Sequence, residues 1–505
     1  MTSVQNHQQQ SNGNNPLNLF GLLLTLSLLQ SCVIFKSAGT TSSSDKPDFP
    51  SELEGPKHID PNTGEVIVNQ QLDITIDTIQ FTEGSSNSQV IVSDATEVFD
   101  PSIKDPKDFN SGMKIACFLP FHASEFNRMD NRIPQKSLDA LHYHNGILMA
   151  LEELKSKNIL VDVSFIDTEA KPSIVQQKIN SSSRLKNVDL LIGPFKKACI
   201  PAIADFAKNN KIPMLSPKSV SEDVVQENPY YLQNNPSIKS HCEALMAHAL
   251  ERYKPEQIVL VGRSSEAIEL KMMSYCADYF NDWKAANDTS FIKEYIITND
   301  TLGYEAVVAA DLMHSELPSA IIIPSFNDEN FVYQLLNKIR IEKAEREITV
   351  YGLPQWNTRF TSIDPSMFKS LNVHITSSNF IDLFNPEIRE WRQAYYNKFK
   401  LIPEDEAFTG YTTTLYFAKL FSVHGPNFHF MLENQPDVNF ITKYRFEKIN
   451  VPLLQYQDDF SYMPVERFEN KFVHILQYED QFFRPEESEV ELNLDDQEIL
   501  VPDRN

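Results

Sequence analysis

Two short turns carry the side chains best suited to holding a small polar molecule. In the first, the apolar run Leu190-Leu191-Ile192 ends at Gly193-Pro194 and passes into Phe195-Lys196-Lys197. In the second, Met214-Leu215 leads into Ser216-Pro217-Lys218-Ser219. A buried strand that stops at a helix start leaves backbone N–H groups pointing outward, and a lysine beside them adds positive charge. That combination suits an anionic group. Lysines at helix starts equally suit plain solvent, and Ser216 and Ser219 equally suit capping of the turn that follows. A matching turn, Gly262-Arg263-Ser264-Ser265, ends another apolar run and offers two hydroxyls, again as ligand donors or as caps. Phe121 and His122 follow the run 113–119, and Trp356 follows the run 349–353. An aromatic ring at such a place either stacks on a ligand or packs into the protein.

Other chemistries find no support in the residue pattern. No glycine-rich phosphate loop, HExxH or CxxC pair is present, so neither a metal nor a nucleotide cofactor is expected. No nucleophile and base are marked as a pair, and the chain is not expected to be an enzyme. With 45 Lys+Arg against 69 Asp+Glu, the net charge of −24 excludes the basic footprint that nucleic-acid binding requires.

These turns need a framework to hold them, and the 505 residues are enough for two or three domains. From residue 113 the pattern alternates. Apolar runs at 113–121, 161–167, 188–192 and 212–216 read as buried strands, and residues 142–154, 173–185 and 198–209 have helical spacing between them. The segment 230–237 lacks that spacing and reads as extended. The rhythm then restarts, with strands expected at 257–262, 291–297, 320–324 and 349–353. Helices are expected at 238–253, 267–283, 306–315 and 329–341. Alternating strands and helices with short loops imply mostly parallel sheets flanked by helices. Two such units joined by extended crossings make a two-lobed α/β protein with a cleft between the lobes.

The first 112 residues differ in kind. An apolar stretch at 19–29, too short to cross a bilayer, precedes Leu29-Gln30-Ser31-Cys32. That tetrad resembles the lipobox of bacterial lipoproteins, in which the leader is removed and the cysteine is acylated. The resemblance implies a signal peptide over 1–31, a lipidated Cys32 and a membrane anchor in the cell envelope. The anchor would sit on the periplasmic face of the outer membrane of a diderm bacterium. Residues 32–112, rich in Pro, Ser, Asp and Asn, read as a tether with strand-like pieces at 65–68 and 72–81. Cys117, Cys199, Cys242 and Cys276 fall in apolar contexts or helical faces and are expected as free thiols. Residues 485–505 are dominated by acidic side chains and read as a solvated, disordered tail.

The ordered set Leu119-Pro120-Phe121, Asp167-Thr168, Ile192-Gly193-Pro194, Ser216-Pro217, Tyr231-Leu232-Gln233-Asn234-Asn235-Pro236-Ser237 and Phe408-Thr409-Gly410-Tyr411 resembles the type I periplasmic-binding-protein fold. More narrowly it resembles the leucine/isoleucine/valine-binding branch. The resemblance implies reversible capture of a small polar ligand by hinged lobes, serving an importer or a sensor. It also implies lobe 1 over 113–237 and 377–438, and lobe 2 over 238–376 and 439–484. Crossings would fall near 234–237, 376–380 and 437–442, with 373–377 returning to the first lobe and 440–447 to the second. Within the family pattern, Phe195-Lys196-Lys197 stands where small hydroxyl residues hold a ligand carboxylate. Some lipoproteins of similar fold bind a cell-wall synthase instead of a small molecule, so an envelope-protein partner is the alternative expectation.

Overall fold

The computed structural model describes residues 57–59, 66–68, 112–126, 133–221, 224–286, 288–298, 307–439, 441–450 and 465–486. The expected leader, Cys32, the strand at 72–81 and all of the acidic tail past 486 lie outside them. The chain divides into two units, 1–89 and 90–505. In the first, β1 (Lys57–Ile59) pairs antiparallel with β2 (Val66–Val68).

In the second unit the chain runs β3 (Met113–Leu119), α1 (Leu138–Ser156), β4 (Val161–Asp167), α2 (Pro172–Ser181), β5 (Leu190–Ile192), α3 (Ile200–Asn210), β6 (Met214–Ser216) and β7 (Tyr231–Gln233). It continues through α4 (Ile238–Arg252), β8 (Ile258–Arg263), α5 (Ala267–Trp283), β9 (Lys293–Ile297), β10 (Ser319–Ile322), α6 (Glu329–Glu342), β11 (Ile348–Gly352), α7 (Gln355–Thr358), α8 (Pro365–Ser370) and β12 (His374–Ser377). Helices α9 (Pro386–Phe399) and α10 (Asp405–His424) follow, then β13 (Asp437–Val438), β14 (Lys443–Tyr444), β15 (Phe446–Asn450), β16 (Val465–Asn470), β17 (His474–Glu479) and β18 (Phe482–Pro485).

Two seven-stranded sheets result, ordered β15-β16-β7-β6-β5-β3-β4 and β18-β17-β12-β11-β10-β8-β9. Strands β4-β3-β5-β6-β7 and β9-β8-β10-β11-β12 are wound identically and run parallel throughout. Each is a doubly wound sheet whose strand order reverses beside its first strand, the place where open α/β sheets collect ligands. Two mostly parallel sheets with flanking helices make the two-lobed type I periplasmic-binding-protein fold.

Several expectations are corrected by the strand pairing. Residues 374–377 form β12, parallel to β11 with Tyr351 opposite His374, so they extend the second sheet and do not return to the first. Residues 446–450 and 465–470 were expected in the second lobe. They complete the first sheet instead, because β16 runs parallel to β7 and β15 caps its edge. The third crossing is accordingly at 471–473, between β16 and β17, and not at 437–442. The helix expected over 306–315 is a single 3-10 turn, Ala309–Leu312. Just before it, β-branched Val308 is extended and its N–H donates to the Tyr295 hydroxyl.

The helix pair α1 and α10 forms the tightest contact of the first lobe. A Cβ on Gly146 would lie 1.9 Å from the Ala407 carbonyl oxygen, and one on Gly410 would lie 2.2 Å from that of Tyr143. Only glycine lets the two backbones approach so closely. The contact covers Tyr143, Ile147, Phe417 and Phe421, which pack on Ile115, Cys117 and Ile192 of the sheet. Cys117, Cys199, Cys242 and Cys276 are buried free thiols, and burial pushes the Cys117 thiol well above its usual range.

Candidate ligand-binding site

All three crossings leave from carboxyl ends of strands: β7 at 234–237, β12 at 378–385 and β16 at 471–473. The carboxyl edges of both sheets therefore meet at the crossings, and the turns singled out in the sequence line that edge. A surface hollow of about 660 Å³ bordered by Pro318, Arg346 and Glu347 is at the other end of the second sheet, where β10 and β11 begin.

In the first lobe the turns are built tightly. Asp167, at the end of β4, accepts from the backbone N–H groups of His122, Ala123 and Glu169. Phe121 turns its ring edge toward His144 and Phe165, so it belongs to the core face and not to a ligand wall. His122 is buried. Gly193 has φ +97° and a cis bond to Pro194, and a Cβ there would meet the Phe118 carbonyl oxygen at 2.3 Å. Phe195 packs edge-on against Tyr143, with the Lys218 ammonium 4.9 Å above its ring.

The expected positive rim is largely spent within the lobe. Lys218 pairs with Asp139 and Glu406, both at 2.6 Å. Burial disfavours its charge, yet the two carboxylates outweigh that and raise its pKa. The Lys197 ammonium donates to Ser221. Lys196 is exposed. Ser219 accepts from the Ser221 N–H, so it shapes its own turn.

The matching turn of the second lobe is also closed. Arg263 donates to Glu269 at 2.5 Å and to Asp328 at 2.7 Å, and its guanidinium stacks 4.0 Å above Phe331. Ser264 and Ser265 are exposed, and neither caps α5, whose N-cap is Glu266. Trp356 is 1% exposed, fills the space left by Gly352 and donates its Nε1–H to the Ser325 carbonyl. It is core, not a stacking platform. A bulky aromatic after a strand packs inward wherever a glycine opposite leaves room for it.

What the edge does offer is a set of buried polar atoms without hydrogen-bond partners. In the first lobe these include Ser216 Oγ, Gln233 Oε1 and Asn234 Oδ1, and on the other side Ser325 Oγ, Gln355 Oε1 and Thr376 Oγ1. Ser216, Gln233 and Glu469 form one row across β6, β7 and β16. Of these residues only Ser216 was singled out from the sequence. Gln233 and Asn234 lay within the extended motif at 231–237 and Thr376 at an expected crossing, while Ser325 and Gln355 directly follow apolar runs.

Beside the row is a buried ion pair, Arg467 Nη2 to Glu469 Oε2 at 2.8 Å. Glu469 also accepts from the Ser237 N–H and the Ser240 hydroxyl, which ties β16 to the start of α4. Burial alone would raise the Glu469 pKa. The charges of Lys471 and Arg467 and the two hydrogen bonds hold it below the usual range. His241, one turn into α4, is buried and pushed down to about 4. Its Nε2 is 3.3 Å from the Ser378 hydroxyl at the second crossing.

A family model described as periplasmic binding protein matches residues 140–426. The chain belongs to the periplasmic binding protein family. Membership goes with an extracytoplasmic, ligand-binding role, and no described helix is long and apolar enough to cross a membrane. Among solved structures, a Rhodospirillum rubrum protein assigned to branched-chain amino acid ABC transport aligns over 74% of this chain and 100% of its own, with 12% identity and TM-score 0.53. An ABC-type branched-chain amino acid transporter protein of Rhodopseudomonas palustris aligns over 74% and 95%, with 12% identity and TM-score 0.47. At such identities the likeness is one of fold. No curated protein sequence matches the chain.

Proposed function

We propose that this periplasmic binding protein captures a small polar molecule between its lobes, for delivery to a transporter or a sensor. The observation that carries the reading is the set of buried, unpartnered oxygens at the strand ends, among them Gln233 Oε1, Ser325 Oγ and Thr376 Oγ1. Buried polar atoms are rarely left unpaired in native proteins, so a cluster of them at these strand ends supports a polar guest. Hydroxyl and amide groups dominate the set, and Lys218 is already neutralised. The ligand is therefore polar rather than strongly anionic. Anchoring through an acylated Cys32 would keep the protein at the membrane it serves.

The test is a thermal-shift screen of the full chain against a panel of small polar metabolites. One or more should raise the melting temperature by mass action on the folded state. Ser216→Ala and Ser325→Ala should each weaken that ligand about 2–10-fold, one hydrogen bond's worth, while leaving the unliganded melting temperature unchanged. No shift across the panel, with an envelope protein co-purifying, would replace this reading with a protein-interaction role. Incorporation of labelled fatty acid that persists in Cys32→Ala would remove the anchor.

A further inference from the structure

Far from the strand ends just described, three side chains from distant parts of the sequence converge. His248 comes from the last turn of α4, His374 opens β12, and Glu486 follows β18. One ligand atom from each falls within 4.8 Å of the other two. We propose that His248, His374 and Glu486 form a binding site for a zinc-class divalent metal ion in the second lobe.

The orientation of the two imidazoles carries the argument. His374 Nδ1 is 2.9 Å from the Asn372 carbonyl, which can only accept, so Nδ1 holds a proton and in the neutral ring Nε2 presents its lone pair. That Nε2 is buried, has no hydrogen-bond partner and is 3.5 Å from the Glu486 carboxylate. An imidazole nitrogen and a carboxylate facing each other at this distance are held together by a shared cation, either a proton on Nε2 or a metal ion. His248 Nε2 faces the same oxygen at 2.7 Å, while its Nδ1 is 3.1 Å from the Tyr351 hydroxyl. A tyrosine hydroxyl can donate or accept, so His248 can move its proton to Nδ1 and free Nε2 for a metal. Both rings thus have the outer hydrogen bond that orients metal-binding histidines.

The size also fits. With metal–nitrogen and metal–oxygen bonds of about 2.0–2.2 Å, ligand atoms of a tetrahedral ion are roughly 3.3 Å apart, inside the span seen here. Two imidazoles and one carboxylate suit zinc-like ions and leave a fourth position for water. Glu486 is partly exposed and provides the way in. Arg252, 2.9 Å from the same carboxylate, competes for it, and its side chain is 33% exposed and has solvent to swing into. Because α4 begins at one crossing and β12 ends at another, an ion at their far ends would brace both. The inference is independent of any ligand between the lobes.

The full chain, stripped with EDTA and dialysed, should take up one zinc ion per chain in a titration against a chromophoric chelator, with a rise in melting temperature. His374→Ala and Glu486→Gln should each weaken binding at least about 10-fold, the usual cost of disturbing a metal's ligands or their supports. Arg252→Met, which removes the competing cation, should tighten it. Circular dichroism of each metal-free variant separates lost binding from lost fold. The proposal is overturned if the folded wild-type chain takes up no zinc at micromolar concentrations, or if uptake is unchanged in the folded His374→Ala and Glu486→Gln variants.

Discussion

The two sheets reverse their strand order at equivalent places, yet the two reversal points are closed by different means. In the first lobe the gap between β3 and β5 is filled by backbone: Gly193 sits against the Phe118 carbonyl, and Phe195 and Lys218 stack over it. In the second, the gap between β8 and β10 is filled by charge, with Arg263 clamped between Glu269 and Asp328 above Phe331. In both, the basic residue nearest the gap, Lys218 or Arg263, is already paired with acids. A basic residue in a turn is available to a ligand only if no acid from elsewhere in the fold reaches it first.

The contrast can be broken from either side. Gly193→Ala should cost on the order of 4 kcal/mol, since its φ is left-handed and the new Cβ collides with fixed backbone. Urea denaturation would measure it, and a loss below about 1 kcal/mol would show that the backbone gives way. At the crossing that joins the lobes, buried His241 titrates near 4 in the folded state and near 6.5 when unfolded. The unfolded chain takes the proton first, so its contribution to stability is full above about pH 6.5. It declines as pH falls and is lost by about pH 4, a change of roughly 3 kcal/mol. Stability curves at pH 7.5, 5.5 and 4 test this, and His241→Gln should flatten the decline. Glu269→Ala should cost about 2–3 kcal/mol by leaving a half-buried Arg263 with Asp328 alone. Lys218→Met should cost less than about 1 kcal/mol despite its two carboxylate partners, because all three groups touch solvent. A larger loss would mean that the first lobe, too, depends on its charges.

How much of this could be read in advance follows from the range over which each feature is encoded. The strand at 190–192, its Gly-Pro stop and the restart after 237 are local patterns of burial and backbone freedom, and the sequence carried them. The edge pairing of β15 and β16 was not legible, because a short strand's pattern says that it pairs without saying with which sheet. The fate of Lys218 depended on Asp139 and Glu406, brought to it by α1 and α10. Trp356 stayed open to either stacking or packing because the glycine that receives its ring lies in the preceding strand and marks no cavity in the sequence. The unpartnered oxygens were hidden for the opposite reason: a serine or glutamine that lacks a partner looks the same in sequence as one that has found it.

The placement of β16 beside β7 has a consequence for how the molecule is made. The parallel strands of the second sheet, residues 258–377, arrive from the ribosome as one uninterrupted stretch and can pair as they emerge. The first sheet begins earlier but waits longer. Its α1 face stays bare until residues 405–424 appear, and its β7 edge stays open until residues 465–470 follow. The α1 face and β7 edge of the first sheet therefore wait longest for their partners, and during synthesis they are the surfaces most in need of a chaperone's cover.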